Sequence, residues 1–283
     1  MRVLITGGGG FIGRAVQRAL REQGHTFELL DHPDDVRDEM VVTTRMYGCE
    51  VVIHLAGLLG THELFDNPAE AVDVNIIGTV NVLEACRKHS TRYVGISMPP
   101  VFPSIYTATK MAAGHFAHAY NITYDVPVSQ VVAFNAYGPG QKYGDGHPQK
   151  IIPTFASRAW AGEPIPIWGD GTQTVDLIHV DDLGKMLAEA ARLNGVTLDG
   201  GSGKALTVNE VADFVLAITG SKAGIEYHPM RRGEIPTEIV ATGEGWEKLA
   251  WRPEFSWSAL AETVRSYRPI YDQRPNMAKP RHG

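Results

Sequence analysis

Residues 4–13 read LITGGGGFIG, and this stretch decides the fold. A short apolar run precedes the glycines and predicts a buried strand, and residues 11–24 have apolar positions at helical spacing. Between a strand and a helix, glycines let backbone N–H groups approach a pyrophosphate, whose charge the helix N-terminus favours. Such a turn can also be no more than a turn. The G-x-x-G-x-x-G spacing of Gly7, Gly10 and Gly13 in this context predicts dinucleotide binding.

The same alternation of strand and helix continues through the first half of the chain. Apolar runs at residues 51–57, 92–97 and 128–135 are separated by helical patterns at residues 68–89 and 106–124. Continuous apolar strands suit a parallel sheet that is covered by helices on both faces. The fold class that we predict is therefore α/β, a doubly wound, Rossmann-like parallel sheet.

After about residue 138 the chain becomes rich in glycine and proline, which indicates a loop and a change of domain. We assign residues 1–138 to a nucleotide-binding domain and residues 139–270 mainly to a smaller C-terminal, substrate-binding part. The run VDLIHV predicts that a segment at about 172–195 crosses back to the sheet. Residues 271–283 are expected to be a flexible tail.

Composition excludes several classes of function. The chain has 283 residues, 43% of them hydrophobic and 20% charged, with a net charge of −6, which gives no electrostatic footprint for nucleic acid. No apolar run is long enough for a signal peptide or a membrane span, so a cytoplasmic location is expected. Cys49 and Cys86 form no metal or disulfide motif. His115 and His118 have no evident third ligand, so no metal site is predicted.

A carboxylate ends the second predicted strand. Asp31 follows Gly13 by 18 residues and has no adjoining arginine in the segment LLDHPDD. A carboxylate at this place can accept a hydrogen bond from a ribose 2′-hydroxyl and would repel a 2′-phosphate. The cofactor that we predict is therefore NAD rather than NADP. The alternative is that Asp31 only caps the following turn.

Tyr106 and Lys110 lie four residues apart at the start of a predicted helix and so share one face. A nearby ammonium and a positive nicotinamide ring both favour tyrosinate. The phenol can then act as a general acid or base on a carbinol while hydride moves. Tyr-x-x-x-Lys alone occurs in many helices, but behind a dinucleotide-binding turn it indicates oxidoreductase-type chemistry.

Further segments belong with these motifs. They are DDVRD, HLAG, NIIGTVNVLEAC, FNAYGPGQ, IPIWGDGTQTVDLIHVDDL and RRGE. Together with the glycine turn and the Tyr-Lys pair, they make residues 1–265 resemble the extended short-chain dehydrogenase/reductase family. The resemblance is to its NAD-dependent nucleotide-sugar epimerase and dehydratase branch, which is UDP-glucose 4-epimerase-like.

The resemblance implies a set of cofactor contacts. Asp35 and Val36 would flank the adenine, and the backbone of residues 55–57 would run beside the cofactor. The full set that we assign to NAD is Gly7, Gly10, Phe11, Ile12, Gly13, Asp31, Asp35, Val36, Leu55, Ala56, Gly57, Asn75, Tyr106, Lys110 and Phe134.

The resemblance also implies a substrate site for a nucleotide-diphosphate sugar. Asn135 would touch a phosphate or the sugar, Ile165 and Ile167 would pack near the base, and Arg231 would bind phosphate. Relatives form a homodimer through the helices that correspond to those around residues 75 and 106, so a homodimer is expected.

One departure from the family concerns the reacting hydroxyl. Met98 stands where the family has a Ser or Thr, and a thioether donates no hydrogen bond. Ser97 is one residue earlier, and we assign it as the third catalytic candidate beside the Tyr-Lys pair. Ser104 or Thr107 could also take the place of the family's Ser or Thr after local rearrangement.

Other departures leave the predicted site with fewer of the family's side chains and a shorter loop. Val175 stands where many relatives have a phosphate-binding arginine, and Ala133 where some epimerases have an aromatic residue. The segment between residues 97 and 106 is also shorter than is common in the family.

The function that we predict is epimerisation of a UDP-sugar at C4 through a transient keto intermediate. The segment SMPPVF lacks the Asp-Glu pair that a dehydratase would use, which favours an epimerase. Two alternatives stay open: an NAD(P)-dependent reductase or dehydrogenase of another carbonyl compound, and a cofactor-binding protein without catalysis.

Overall fold

A computed structural model of the chain describes residues 1–99, 101–144 and 147–269. The strands in these ranges are β1 (Arg2–Thr6), β2 (Thr26–Leu30), β3 (Val51–His54), β4 (Arg92–Ser97), β5 (Val128–Ala133), β6 (Asn135–Tyr137), β7 (Ile165–Trp168), β8 (Thr174–His179), β9 (Thr197–Gly200), β10 (Ala205–Thr207) and β11 (Ile225–His228). The α-helices are α1 (Phe11–Glu22), α2 (Glu39–Met46), α3 (Pro68–Val72), α4 (Gly78–His89), α5 (Ile105–Tyr124), α6 (Ile151–Trp160), α7 (Val180–Leu193), α8 (Val208–Thr219) and α9 (Trp257–Ser266).

The main sheet has six parallel strands in the order β2-β1-β3-β4-β5-β9. Side chains of β1 alternate between its two faces, so Val3 and Ile5 pack in one core with α1 and α7. Leu4 packs in a second core with α2 and α4. The prediction of a doubly wound parallel sheet is therefore confirmed.

The strand order reverses between β1 and β3, because the chain moves outward from β1 to β2 and then returns to the other side. In open α/β sheets, the crevice at such a reversal, outside the carboxyl ends of the strands, is the usual ligand site. The glycine turn that follows β1 lies at this point.

The smaller part contains a three-stranded sheet, β10-β8-β6, and a two-stranded sheet, β11-β7. These strands share a separate hydrophobic core with α6, α8 and α9. In the described ranges, no helix is long and apolar enough to cross a membrane.

The segment that returns to the main sheet differs from the expected one at 172–195. The run VDLIHV forms β8, which pairs with β6 and β10 in the smaller part. Instead, α7 packs into the core beside β1, and β9 pairs with β5, which brings residues 180–200 back. An apolar run shows that a strand is buried but does not show which sheet it joins. The predicted tail, residues 271–283, lies outside the described residues.

Candidate functional site

The glycine turn is packed too closely for side chains. Gly7 has a φ of +67°, and a Cβ on it would lie 2.8 Å from the backbone nitrogen of Ala56. A Cβ on Gly13 would collide with the backbone of Gly8 and lie 2.6 Å from the carbonyl oxygen of Gly7. The Gly10 N–H donates a 3.1 Å hydrogen bond to that same oxygen and closes the turn. The turn therefore requires glycine at positions 7 and 13.

The N-terminus of α1 faces the same crevice. Its N-cap residue, Gly10, provides no side chain to accept from the first-turn amides. The N–H groups of Phe11, Ile12 and Gly13 have no acceptor within the helix, as in the first turn of any α-helix. A cradle of backbone donors at a helix N-terminus fits a pyrophosphate. This geometry meets the demands of a dinucleotide such as NAD.

Asp31 lies at the rim of this cradle, directly after β2. Its carboxylate accepts hydrogen bonds from the Gly9 N–H and, at 2.9 Å, from the His32 N–H. A Cβ on Gly9 would lie 2.7 Å from the same carboxylate. Asp31, the residue predicted to bind the ribose, therefore lies beside the predicted pyrophosphate site.

The predicted adenine segment is held by its own contacts. Asp35 accepts three hydrogen bonds from Arg37, and the Arg37 side chain holds the pKa of this carboxyl below its usual value. Val36 is buried against Gly78, and Asn81 donates a 3.0 Å hydrogen bond to the Val36 carbonyl oxygen. Val36 therefore provides a fixed apolar surface at the predicted adenine site. The Asp35 carboxylate is already paired with Arg37.

A chain of buried polar groups ties the carboxyl ends of β1 and β3 together. The Thr79 hydroxyl donates to the Asn75 carbonyl oxygen at 2.7 Å, so it must accept from His54 Nε2, 3.1 Å away. His54 Nδ1 then accepts from the Thr6 hydroxyl at 2.7 Å. Burial, with a smaller effect of the Lys110 charge, lowers the pKa of His54 to about 3. The imidazole is neutral and structural.

Asn75 connects this region to the Tyr-Lys helix. It lies in a π-helical turn, Asp73–Ile77, that interrupts the predicted single helix between α3 and α4. Its side-chain oxygen accepts from the Leu58 N–H at 2.8 Å, and its side-chain nitrogen donates to the Thr109 hydroxyl at 3.0 Å. Thr109 in turn donates to the Tyr106 carbonyl oxygen at 3.0 Å. Asn75 therefore fixes the start of α5 relative to β3.

Tyr106 and Lys110 stand one turn apart on α5, and both are partly buried. Burial raises the pKa of Tyr106 to about 12 and lowers the pKa of Lys110 to about 8. In both cases burial disfavours the charged form. Within the described part of the chain, the Lys110 ammonium makes no hydrogen bond. Burial therefore disfavours both the Tyr106 phenolate and the Lys110 ammonium while no ligand is bound.

A cavity of about 320 Å³ adjoins Tyr106 and lies between the two parts of the molecule. The part that contains the main sheet contributes the segment that connects β4 to α5, and the smaller part contributes β7, the start of α6 and residues 230–239. Of the four residues that we assigned to substrate, Asn135, Ile167 and Arg231 line this cavity. Ile165 does not; it is completely buried in the core of the smaller part.

Arg231 occupies a crowded corner of the cavity. Its guanidinium forms an ion pair with Glu234 at 2.7 Å and lies 4.6 Å from the centre of the Trp168 ring. The Glu234 side chain is only 6% exposed, and its Oε1 lies 3.6 Å from His62 Nε2. Sequence reasoning missed Glu234 and Trp168, although the spacing in RRGE and the end of the IPIW strand could have indicated them.

Lys150 also lines the cavity and was missed. Burial lowers the pKa of its ammonium. No sequence pattern indicated Lys150 or His62, since each lies in a connecting segment without periodicity.

The third catalytic candidate is less well placed. Met98 lines the cavity together with Tyr106, whereas Ser97, at the end of β4, is not among the lining residues. Val175, which stands where many relatives have an arginine, lines the cavity as well. Phe134 is also outside the lining set, and its N–H donates a 3.0 Å hydrogen bond to Gly200, which ties β5 to β9.

A family model described as the NAD dependent epimerase/dehydratase family matches residues 3–196. The chain belongs to this family. The match includes the glycine turn, the Tyr-Lys pair and β8, and it confirms the resemblance inferred from the motifs.

Several members of the epimerase/dehydratase family are similar along their whole length. The UDP-glucose 4-epimerase of Mycolicibacterium smegmatis is 28% identical, over 95% of this chain and 99% of that protein. A structure of UDP-glucose 4-epimerase with UDP-glucose from Thermotoga maritima is 26% identical, with a TM-score of 0.84 over 95% of this chain and 99% of that one. A Thermus thermophilus UDP-glucose 4-epimerase in complex with NAD is 25% identical, with a TM-score of 0.85 over 95% and 100%.

Proposed function

We propose that the protein is an NAD-dependent 4-epimerase of a UDP-sugar. The observation that carries this proposal is that Tyr106, one turn from Lys110, opens onto the cavity that Arg231 lines on the other side. Related proteins of similar length are UDP-glucose 4-epimerases, and their structures include complexes with UDP-glucose and with NAD.

The cofactor would be held mainly by backbone groups. The amides of the glycine turn and of the first turn of α1 bind the pyrophosphate, and Asp31 accepts from a ribose hydroxyl. A free 2′-phosphate beside the Asp31 carboxylate would be repelled, which favours NAD. When bound, NAD supplies a hydride acceptor and a positive ring.

Tyr106 is the acid and base of the proposed reaction. With NAD bound to accept and return the hydride of C4, the Tyr106 phenolate would take the proton of the C4 hydroxyl as a 4-keto sugar forms. Tyr106 would give that proton back to the sugar oxygen when hydride is returned to the opposite face of C4. Lys110, which is mainly cationic at neutral pH because its pKa is about 8, stabilises the phenolate.

The remaining contacts hold the nucleotide part of the substrate. Arg231 binds the diphosphate by charge-assisted hydrogen bonds, and Asn135 contacts the phosphate or the sugar. Ile167 provides an apolar contact for the base. The relatives favour uridine as the nucleoside.

We also propose a homodimer that forms through α4, α5 and the π-helical turn, and a cytoplasmic location. Large apolar side chains of these elements are exposed, namely Ile77 in the π-helical turn and Met111, Phe116 and Ile122 in α5. Exposed apolar surface on elements that pack together favours an interface with another chain. The net charge of −6 gives no support to a nucleic-acid or membrane partner.

A second candidate is a reductase or dehydrogenase of another carbonyl compound. Met98 and Val175 favour it, because they remove a hydroxyl donor and a cation from the cavity that would hold a sugar nucleotide.

A proton NMR time course with catalytic NAD and single UDP-sugars tests the proposal. The expected result is a new anomeric signal of the C4 epimer without net formation of NADH. Stoichiometric consumption of NADH with another carbonyl compound, and no change in any UDP-sugar, would favour the second candidate.

A further inference from the structure

The wall of the cavity next to Tyr106 is mostly apolar. Met98, Val101 and Phe102 line it, all from the short segment between β4 and α5. None of these side chains can donate a strong hydrogen bond. As Tyr106 takes a proton in the proposed reaction, negative charge develops on the sugar oxygen, and a fixed donor aimed at that oxygen would stabilise the transition state.

Thr107 is a hydroxyl-bearing residue of this wall. It lines the same cavity, and apart from that opening its side chain is buried, with 4% of the residue exposed. Its hydroxyl oxygen accepts a 3.0 Å hydrogen bond from the Ser104 hydroxyl. In the described part of the chain, no protein acceptor takes the hydrogen of the Thr107 hydroxyl. That hydrogen is therefore not used by the protein itself.

Ser104 holds Thr107 in place. It is the N-cap of α5, and its hydroxyl oxygen accepts from the Thr107 N–H at 3.0 Å while its hydrogen goes to the Thr107 hydroxyl. This reciprocal pair fixes the threonine rotamer. The donation from Ser104 also polarises the Thr107 O–H group and makes it a better donor.

We propose that Thr107 is a catalytic residue that donates a hydrogen bond to the reacting C4 oxygen of the sugar, with Ser104 as its positioning residue. This inference rests on the proposed function. Thr107 is better placed than Ser97, which is absent from the cavity lining, and than Ser104, whose hydrogen is already donated. The pair of adjacent residues Tyr106 and Thr107 would then hold one oxygen from the same turn of α5.

Thr107→Val removes the hydroxyl and keeps the shape of the side chain. We expect kcat to fall about 100-fold, the size of effect found when one transition-state hydrogen-bond donor is removed. KM, NAD affinity and the melting temperature should stay close to those of the wild type. Thr107→Ser should keep most of the activity, because it retains the hydroxyl. Thr123→Val, an exposed threonine of the same helix, is the control and should behave as the wild type.

A rescue experiment separates a chemical role from a structural one. Met98 lines the same cavity, so Met98→Ser in the Thr107→Val background should restore part of kcat by presenting a new hydroxyl. An unchanged kcat in Thr107→Val would overturn the inference and leave the proposed function intact. The inference would also be overturned if Thr107→Val and Thr107→Ser lost kcat to the same extent, both lost thermal stability, and Met98→Ser restored no activity. If the wild type epimerises no UDP-sugar, the proposed function has failed and the inference falls with it.

Discussion

The glycine turn after β1 and the cavity wall around Tyr106 are constructed in different ways. At the turn, backbone atoms surround the glycines, and a Cβ on Gly13 would lie 2.6 Å from the Gly7 carbonyl oxygen. At the cavity, the walls are side chains such as Met98 and Val175, which extend from a connecting segment and from a strand of the smaller part.

This difference explains which parts of the family pattern are present. A cradle made of backbone groups leaves almost no choice of residue, so its glycine pattern is complete. A wall made of side chains can exchange a hydroxyl for the thioether of Met98, provided that another residue, such as Thr107, supplies the lost hydrogen bond. The backbone cradle is therefore readable in the sequence, whereas the substrate wall can be read from it only in part.

The largest effect is expected from Tyr106→Phe, which removes the proton-transfer group of the side-chain wall. General acid–base catalysis contributes about 10²- to 10⁴-fold, so kcat should fall by roughly 10³-fold. NAD binding, measured by fluorescence quenching, should change little because the backbone cradle is intact. A variant that keeps its turnover would show that Tyr106 has no role in proton transfer.

Gly13→Ala tests the cradle. The added methyl group would collide with the backbone of the turn, which must shift, and NAD affinity should fall about a hundredfold if one or two charge-assisted hydrogen bonds are lost. Gly114→Ala is the matched control, since its Cβ would meet only the Gln130 side chain at 3.4 Å, inside α5. Alanine is a better helix former than glycine, so this control should be neutral or stabilising. Equal NAD affinity in both variants would contradict a backbone cradle.

Lys110→Met tests the cost of the buried charge in the protein without ligand. Because burial lowers the pKa of Lys110 from 10.5 to about 8, the unfolded chain binds more protons between these pH values. The lysine therefore destabilises the fold below pH 8 by up to about 3 kcal/mol and ceases to do so as pH rises toward 10.

We expect the variant to be more stable than the wild type at pH 7, with a difference that shrinks between pH 8 and pH 10, as measured by urea unfolding. Lys142→Met replaces an exposed lysine and should follow the wild type. A difference that is the same at every pH would mean that Lys110 is not desolvated.

The smallest effect is expected from Arg231→Gln. A charge-assisted hydrogen bond contributes about 1.5–3 kcal/mol, but the pairing with Glu234 offsets part of it, so KM should rise about tenfold. Steady-state kinetics should show kcat nearly unchanged. Arg232→Gln is the control, since Arg232 is exposed and does not line the cavity. Equal KM values for the two variants would exclude Arg231 from diphosphate binding.

Much of the fold could be predicted, because periodicity and glycine spacing report on local structure. The runs that form β1, β3, β4 and β5 are buried strands of one parallel sheet, as expected. The partner of β8 could not be predicted, since an apolar strand fits either sheet. The position of the returning segment depends on the packing of α7, which no local pattern specifies.

The site was predictable where motifs define it and not where tertiary contacts do. Tyr106 and Lys110 follow from their spacing behind the dinucleotide-binding turn, and Asn135 and Arg231 follow from the resemblance. The pairing of Arg231 with Glu234 could be found only in the structure. The free hydrogen of the Thr107 hydroxyl depends on the rotamer that Ser104 fixes, which the sequence does not reveal.

The most direct test of the proposed function uses a UDP-hexose that carries deuterium at C4, incubated with the wild-type protein and a catalytic amount of NAD. We expect NMR to show the C4 epimer with deuterium retained at C4 and without net NADH, because the same hydride leaves and returns within one closed site. Loss of deuterium to water, its accumulation in stoichiometric reduced cofactor, or no epimer from any UDP-hexose would contradict an NAD-dependent 4-epimerase.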